Sequence, residues 1–260
     1  MKSVKLMKHK IIFFLLTLFT VHYSLTTDVY ALDANKKLLG NGLTVLHSEK
    51  HNIPIVMVTM IIKAGQLDEQ KEKAGLANLV AELLDEGTKN RKSQEISEEI
   101  EFIGASLGAS ASGDYTTVTL SVLKKDVEKG FELFSDIILN PVFPQEEIDR
   151  KKELIKGSLK QREEEPSFLA DRAFRKEVFG EHPYGRLREG SIETLTALNR
   201  EDLMKFHSKY FVPNNAIISV VGDLTDTELN SLIKKYLGEW KIADLPEKQI
   251  NPMAEEKIKR

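Results

Sequence analysis

Four short segments of the sequence hold side chains able to act as nucleophile, acid, base or metal ligand. Residues 104–108 read GASLG, the G-x-S-x-G string that presents a nucleophilic serine in hydrolases. Such a serine needs a strand before it and a helix after it, so that a sharp turn exposes the hydroxyl. Here a helical pattern precedes Ser106 and an alternating one follows, so the expectation is a small-residue strand packed close to a neighbour. His47 and His51 stand four residues apart, a spacing that converges on a metal only on a helix. Their segment follows a strand pattern and runs into Asn52-Ile53-Pro54, so a solvated turn without metal is expected. His182 lies in a Gly/Pro loop with no partner in the nearby sequence and reads as a structural hydrogen-bonding residue. Glu82 and Glu86 share a helix face with Asp85 beside them, but a hard-cation site takes several converging oxygens. Acidic pairs at this spacing ordinarily face water.

The elements that must position these residues read as strand and helix blocks with short breaks. Residues 37–46 form two short apolar runs around Asn41-Gly42, a hairpin signal. Residues 53–64 are β-branched and apolar enough to predict a buried strand. Leu76, Leu79, Val80, Leu83 and Leu84 predict a helix over 72–86, with Gly87 as its stop. A second helix is expected over 93–102 with Ser93 as its cap, and residues 115–123 alternate as a half-buried strand should. Helices follow over 126–139, 145–165, 167–178 and 200–210, then a buried strand over 216–221 and a closing helix over 226–237. The pattern is α+β, with helices packed on a mainly antiparallel sheet. No short-period repeat is visible.

The N-terminus reads differently. Lys2, Lys5, Lys8 and Lys10 form a basic head before the apolar run 11–21, and small residues end at Ala31. This is the pattern of a secretory signal peptide, and the run is shorter than the roughly 20 residues a membrane span needs. The expected organisation is a signal peptide over 1–31, one domain over 32–240 and a linker or truncated tail over 241–260. The mature protein is expected to be exported, most simply to a periplasm, with no membrane association after cleavage.

Composition narrows the chemistry. The 260 residues carry 37 Lys+Arg against 40 Asp+Glu, a net charge of −3 that becomes −6 once residues 1–31 are removed. That balance argues against a nucleic-acid partner. The chain has no cysteine, which excludes thiol nucleophiles, thiolate metal sites and disulfide frameworks together.

Residues 75–88, GLANLVAELLDEGT, resemble the zinc-helix segment of the M16 metallopeptidase family (pitrilysin, insulinase, mitochondrial processing peptidase), whose form is G-L-A-H-x-x-E-H followed by G-T. The resemblance extends along the chain: NGLTV at 41–45 matches the family's opening strand, KAG at 63–65 the stretch before the zinc helix, and NPVF at 140–143 its mid-domain turn. HPYG at 182–185, YFVPNN at 210–215 and VVGD at 220–223 match later landmarks in the expected order. The resemblance implies an M16/LuxS-like metallohydrolase fold and places this chain as the N-terminal domain of a member.

An inverted zincin needs two imidazoles one helical turn apart, a Glu beside the second as general base, and a third ligand from elsewhere. By the family's register Asn78 occupies the first histidine position, Ala81 the base, Glu82 the second histidine and Ser158 the third ligand. Gly157 and Leu159, one residue to either side, offer no ligand. The resemblance therefore implies a non-catalytic member with no metal or cofactor in this chain, zinc being expected in a catalytic partner. Such a member would close a chamber and hold peptide substrate, beside a zinc-bearing M16 subunit or a missing C-terminal half. The alternative is a peptide-binding or structural assembly module with no proteolytic role.

Overall fold

A computed structural model describes residues 34–246. The expected signal peptide over 1–31 and residues 247–260 of the expected tail lie outside the described residues. Six strands form one sheet: β1 (Asn35–Leu38), β2 (Thr44–Glu49), β3 (Ile55–Ile62), β4 (Ser106–Ala111), β5 (Thr116–Leu123) and β6 (Ala216–Gly222). Their order is β1-β2-β6-β3-β5-β4. Every neighbouring pair is antiparallel except β2 and β6, which run parallel with Thr44 opposite Ile217. The hairpin expected at Asn41-Gly42 is present, with Gly42 at φ +82° and its N–H donating to the Leu39 carbonyl at 2.9 Å.

Side chains alternate across a pleated strand, so one face can be dry while the other is open. Val56, Val58, Met60 and Ile62 of β3 point inward with Val118, Leu120 and Val122 of β5 and Ile218 and Val220 of β6. The expectation that residues 53–64 are wholly buried needs correction. Met57 is 57% exposed, because the chain covers only one face of β3 with helices.

That cover consists of α1 (Leu76–Ala81), α2 (Ser93–Phe102), α3 (Val127–Leu139), α4 (Gln145–Arg162), α5 (Pro166–Phe179), α6 (Ile192–Ala197), α7 (Arg200–Tyr210) and α8 (Asp226–Leu237). α3 lies on β5 and α1 reaches both β4 and β5. Phe131, Phe134 and Phe143 are fully buried beneath them. In α4 the buried residues Ile148, Lys152, Ile155 and Leu159 fall at helical spacing, while acids open the helix and bases close it, matching its dipole.

The landmark asparagines before β6 are structural. Asn215 donates from Nδ2 to the Tyr210 carbonyl at 3.0 Å, and its own carbonyl accepts the Lys63 N–H at 3.0 Å. Those bonds set β6 beside β3. β6 thereby joins the β1–β2 hairpin to the β3-β5-β4 meander.

Candidate functional site

The segment that resembles the zinc helix starts later and ends earlier than its periodicity predicts. The helix begins after Gly75, which adopts φ +95°, and α1 covers only Leu76–Ala81. A Cβ at Gly75 would meet the Glu189 carbonyl oxygen at 2.5 Å, and one at Gly190 would meet the Ala74 oxygen at 2.2 Å. Two glycines thus let the 187–190 loop cross the helix start, and that crossing breaks the expected longer helix. After Ala81 the chain tightens into i→i+3 turns, with Leu83 N–H to the Val80 carbonyl at 3.2 Å and Glu86 N–H to Leu83 at 3.3 Å. The apolar spacing survives the change, since Leu79, Leu83 and Leu84 are all fully buried.

A residue with no sequence signal caps this helix. The Glu69 carboxylate accepts the Gly75 N–H at 3.1 Å and the Ala77 N–H at 2.7 Å, satisfying donors that a helix N-terminus leaves open. Burial pushes the Glu69 carboxyl up to about 7, and the two backbone N–H bonds oppose that rise.

The structure brings together two of the four family positions. Asn78 is buried and donates from Nδ2 to Glu82 Oε1 at 2.9 Å. Ala81 is 1% exposed, a methyl group in the core. Ser158 lies on the exposed face of α4, and its side chain makes no hydrogen bond among the described residues. The α4 residue that does reach Glu82 is Lys151, two turns earlier. Its ammonium stands 3.9 Å from Glu82 Oε2 and 3.3 Å from Glu86 Oε1. Arg150 adds a bond to Glu86 at 2.7 Å, and the Ser93 hydroxyl donates to the other Glu86 oxygen at 2.7 Å. Ser93 is therefore not the cap of α2. Burial alone would raise the Glu86 carboxyl, but the bonds from Ser93, Arg150 and Lys151 outweigh it and hold the group below the usual carboxylate range. Burial keeps Asp85 above its ordinary value.

These residues do not fit the zinc that the fold family implies. A zinc site takes imidazole, thiolate or carboxylate donors around an open position. Here one carboxylate, Glu82, is already bonded by a neutral amide, and a chain ammonium lies beside it. A fixed Lys151 charge and a divalent cation would repel at this range. The conspicuous Gly87-Thr88 that follows has a framing role. Thr88 Oγ1 donates to Asp136 at 2.8 Å, and Asn90, Arg91 and Asn140 donate to the same buried carboxylate.

The other sequence candidates divide. Ser106 opens β4 after α2, the reverse of a nucleophile elbow, and its side chain makes no hydrogen bond among the described residues. His182 caps a short turn, accepting the Tyr184 N–H on Nδ1 at 3.2 Å and packing edge-on against that ring at 4.8 Å, as a structural histidine should. The expectation for His47 is overturned. Residues 44–49 are strand β2, and His47 is 3% exposed rather than part of a solvated turn. Its Nδ1 faces the Asp226 carboxylate and its Nε2 lies 2.9 Å from the Leu224 carbonyl oxygen. The missed signal was the alternation Val45, His47, which puts the histidine on the inward face of the strand.

The fold is shared with solved structures of M16 and related protease domains. The first half of the periplasmic protease PqqL from Escherichia coli matches with a TM-score of 0.77 at 22% identity, covering 85% of this chain and 49% of that one. A protease from Helicobacter pylori matches with a TM-score of 0.78 at 25% identity, covering 86% and 54%. In sequence, the profile of insulinase (peptidase family M16) matches residues 44–190, and that of the peptidase M16 inactive domain matches 197–260. The chain belongs to peptidase family M16. An uncharacterized zinc protease of Mycobacterium leprae is 26% identical over 200 residues, 77% of this chain and 45% of the relative. The chain spans about half the length of the curated relatives it matches. The second profile begins inside the sheet domain, since β6 lies between β2 and β3.

Proposed function

We propose that this chain is the non-catalytic half of an exported M16-type peptidase, which closes the chamber and holds peptide for a zinc-bearing partner. The observation that carries the reading is the donor set around Glu82. Asn78, Ala81 and Ser158 supply no imidazole and no base, and Lys151 and Arg150 neutralise the carboxylates that remain. Zinc and the general base then belong to the partner, either a separate subunit or a second half.

The outer edge of β4 supports the peptide-holding part. Among the described residues this edge has no strand partner, and its Ser106, Gly108, Ala109 and Ser110 are small. An extended peptide can add there as a further strand through main-chain bonds, with little steric demand on its side chains. A partner surface is available as well. Helix α5 has no buried residue, and Phe174 on it is 65% exposed, with Val178 one turn further on also exposed. Export is supported by the basic head and short apolar run of residues 1–31.

The test is co-purification with an M16 subunit that retains H-x-x-E-H, followed by cleavage of an unstructured peptide. Cleavage by the pair and by neither chain alone is expected. Full activity of this chain alone overturns the reading. Stable association and peptide binding without cleavage by the pair would instead favour an assembly module.

A further inference from the structure

We infer that His47, Glu49 and Asp226 form a binding site for a divalent transition metal of the zinc type, remote from the Glu82 cluster and sharing no residue with it. One ring nitrogen of His47 and one carboxylate oxygen from each acid lie within 4.8 Å of one another, the only such group of three among the described residues. Two strands of evidence point to a cation there.

The first is the environment of the imidazole. His47 Nε2 lies 2.9 Å from the Leu224 carbonyl oxygen, which can only accept, so this nitrogen donates its proton. The second nitrogen, Nδ1, faces the Asp226 carboxylate. Either a proton or a metal ion can join that nitrogen to the carboxylate, and the neighbouring Glu49 oxygen supplies a third donor atom within 4.8 Å. A ring anchored through one N–H to a backbone carbonyl, with its other nitrogen aimed at carboxylates, is how proteins orient a metal-ligating histidine. The ring is 97% buried by its 3% exposure, so its direction is set by packing.

The second is the charge around it. Glu49, Asp223 and Asp226 converge at the end of β2 and the start of α8. Among the described residues none of the three is ion-paired with lysine or arginine, and their charged partners are the histidines alone. His51 bridges Glu49 at 3.2 Å and Asp223 at 2.7 Å, and the Asp226 N–H donates to Glu49 Oε1 at 2.9 Å. These contacts hold the Glu49 carboxylate in place. One imidazole and two carboxylates suit zinc and its neighbours better than calcium or magnesium, which favour all-oxygen shells. The metal would tie β2 to α8.

The experiment is calorimetric titration of the EDTA-stripped chain with zinc chloride, with cobalt(II) absorption as a second readout. One equivalent per chain is expected, with visible cobalt bands. Affinity should fall at least tenfold in His47→Gln and in Asp226→Asn, and stay unchanged in Glu82→Gln. Asp226 is 54% exposed, so its variant keeps the test valid if the buried histidine variant fails to fold. Absence of stoichiometric binding in the wild-type chain means a proton alone bridges His47 and Asp226, and overturns the proposal. Binding retained in both site variants overturns it too. Binding lost only in Glu82→Gln overturns it and contradicts the proposed function as well, so the two failures are distinguishable.

Discussion

The Glu82 cluster and the His47 cluster are built from similar carboxylates and reach opposite states. Around Glu82 and Glu86 the chain supplies its own cations, from Lys151 and Arg150 on a packed helix. Around Glu49 and Asp226 it supplies imidazoles and no lysine or arginine. The difference teaches that acidic residues alone do not make a metal site. What decides is whether the fold has already filled the position of positive charge. Glu69 shows a third solution, in which a buried carboxylate is met by backbone N–H groups.

The largest effect is expected at Glu69, which is held by backbone N–H groups and, among the described residues, forms no ion pair, Arg186 acting on it only from a distance. Its folded value of about 7 lies above the ordinary value of 4.5, so the native state holds a proton that the unfolded chain releases. Its contribution is therefore fully present below about pH 4.5 and is lost as pH rises through 7, by about 3 kcal/mol as an upper bound. Urea unfolding of the wild type and of Glu69→Gln between pH 4.5 and 8 should show that slope in the difference between the two curves, and parallel curves would refute it. His207 works in the opposite sense. Burial holds it at about 4, and its Nε2 lies 2.8 Å from the Ile138 carbonyl. Its contribution is present above pH 6.5 and lost as pH falls through 4, so it opposes the Glu69 slope below pH 6.5.

Next in size is Lys151→Met, which strips the fixed ammonium from Glu82 and Glu86. A loss of about 1–3 kcal/mol is expected, because Glu86 remains only 14% exposed with one partner fewer. Unchanged stability would mean that Arg150 alone satisfies the cluster. Arg150→Ala sits at the bottom of the scale. Its side chain is 48% exposed, so about 0.5 kcal/mol is expected in the same denaturation experiment.

Much of this was legible in the sequence because it is written in periodicity. The alternation of 115–123 and the helical spacing of 200–210 and 226–237 return as β5, α7 and α8 with boundaries shifted by a residue at most. The family positions Asn78 and Ala81 were legible because they lie on one local helix, where spacing alone gives proximity. Lys151 was not, since it comes from another helix and only packing brings it to Glu82. The same holds for Glu69, a capping residue beside one crossing that depends on two glycines, and for the parallel pairing of β2 with β6. His47 was misread because a charged-looking pentapeptide resembles a turn, whereas the strand continues through it to Glu49.

The position of β6 has a consequence for the order of events during synthesis. β2 and β3 are close in sequence but are never neighbours in the sheet, and the strand that joins them is the last one made. Until Gly222 has been added, the chain holds two separate ribbons, each with an open edge facing the gap. Pairings of such long sequence separation are slow to form, and open edges invite association with other chains. Nearly the whole described segment must therefore be present before the two ribbons can join into one sheet.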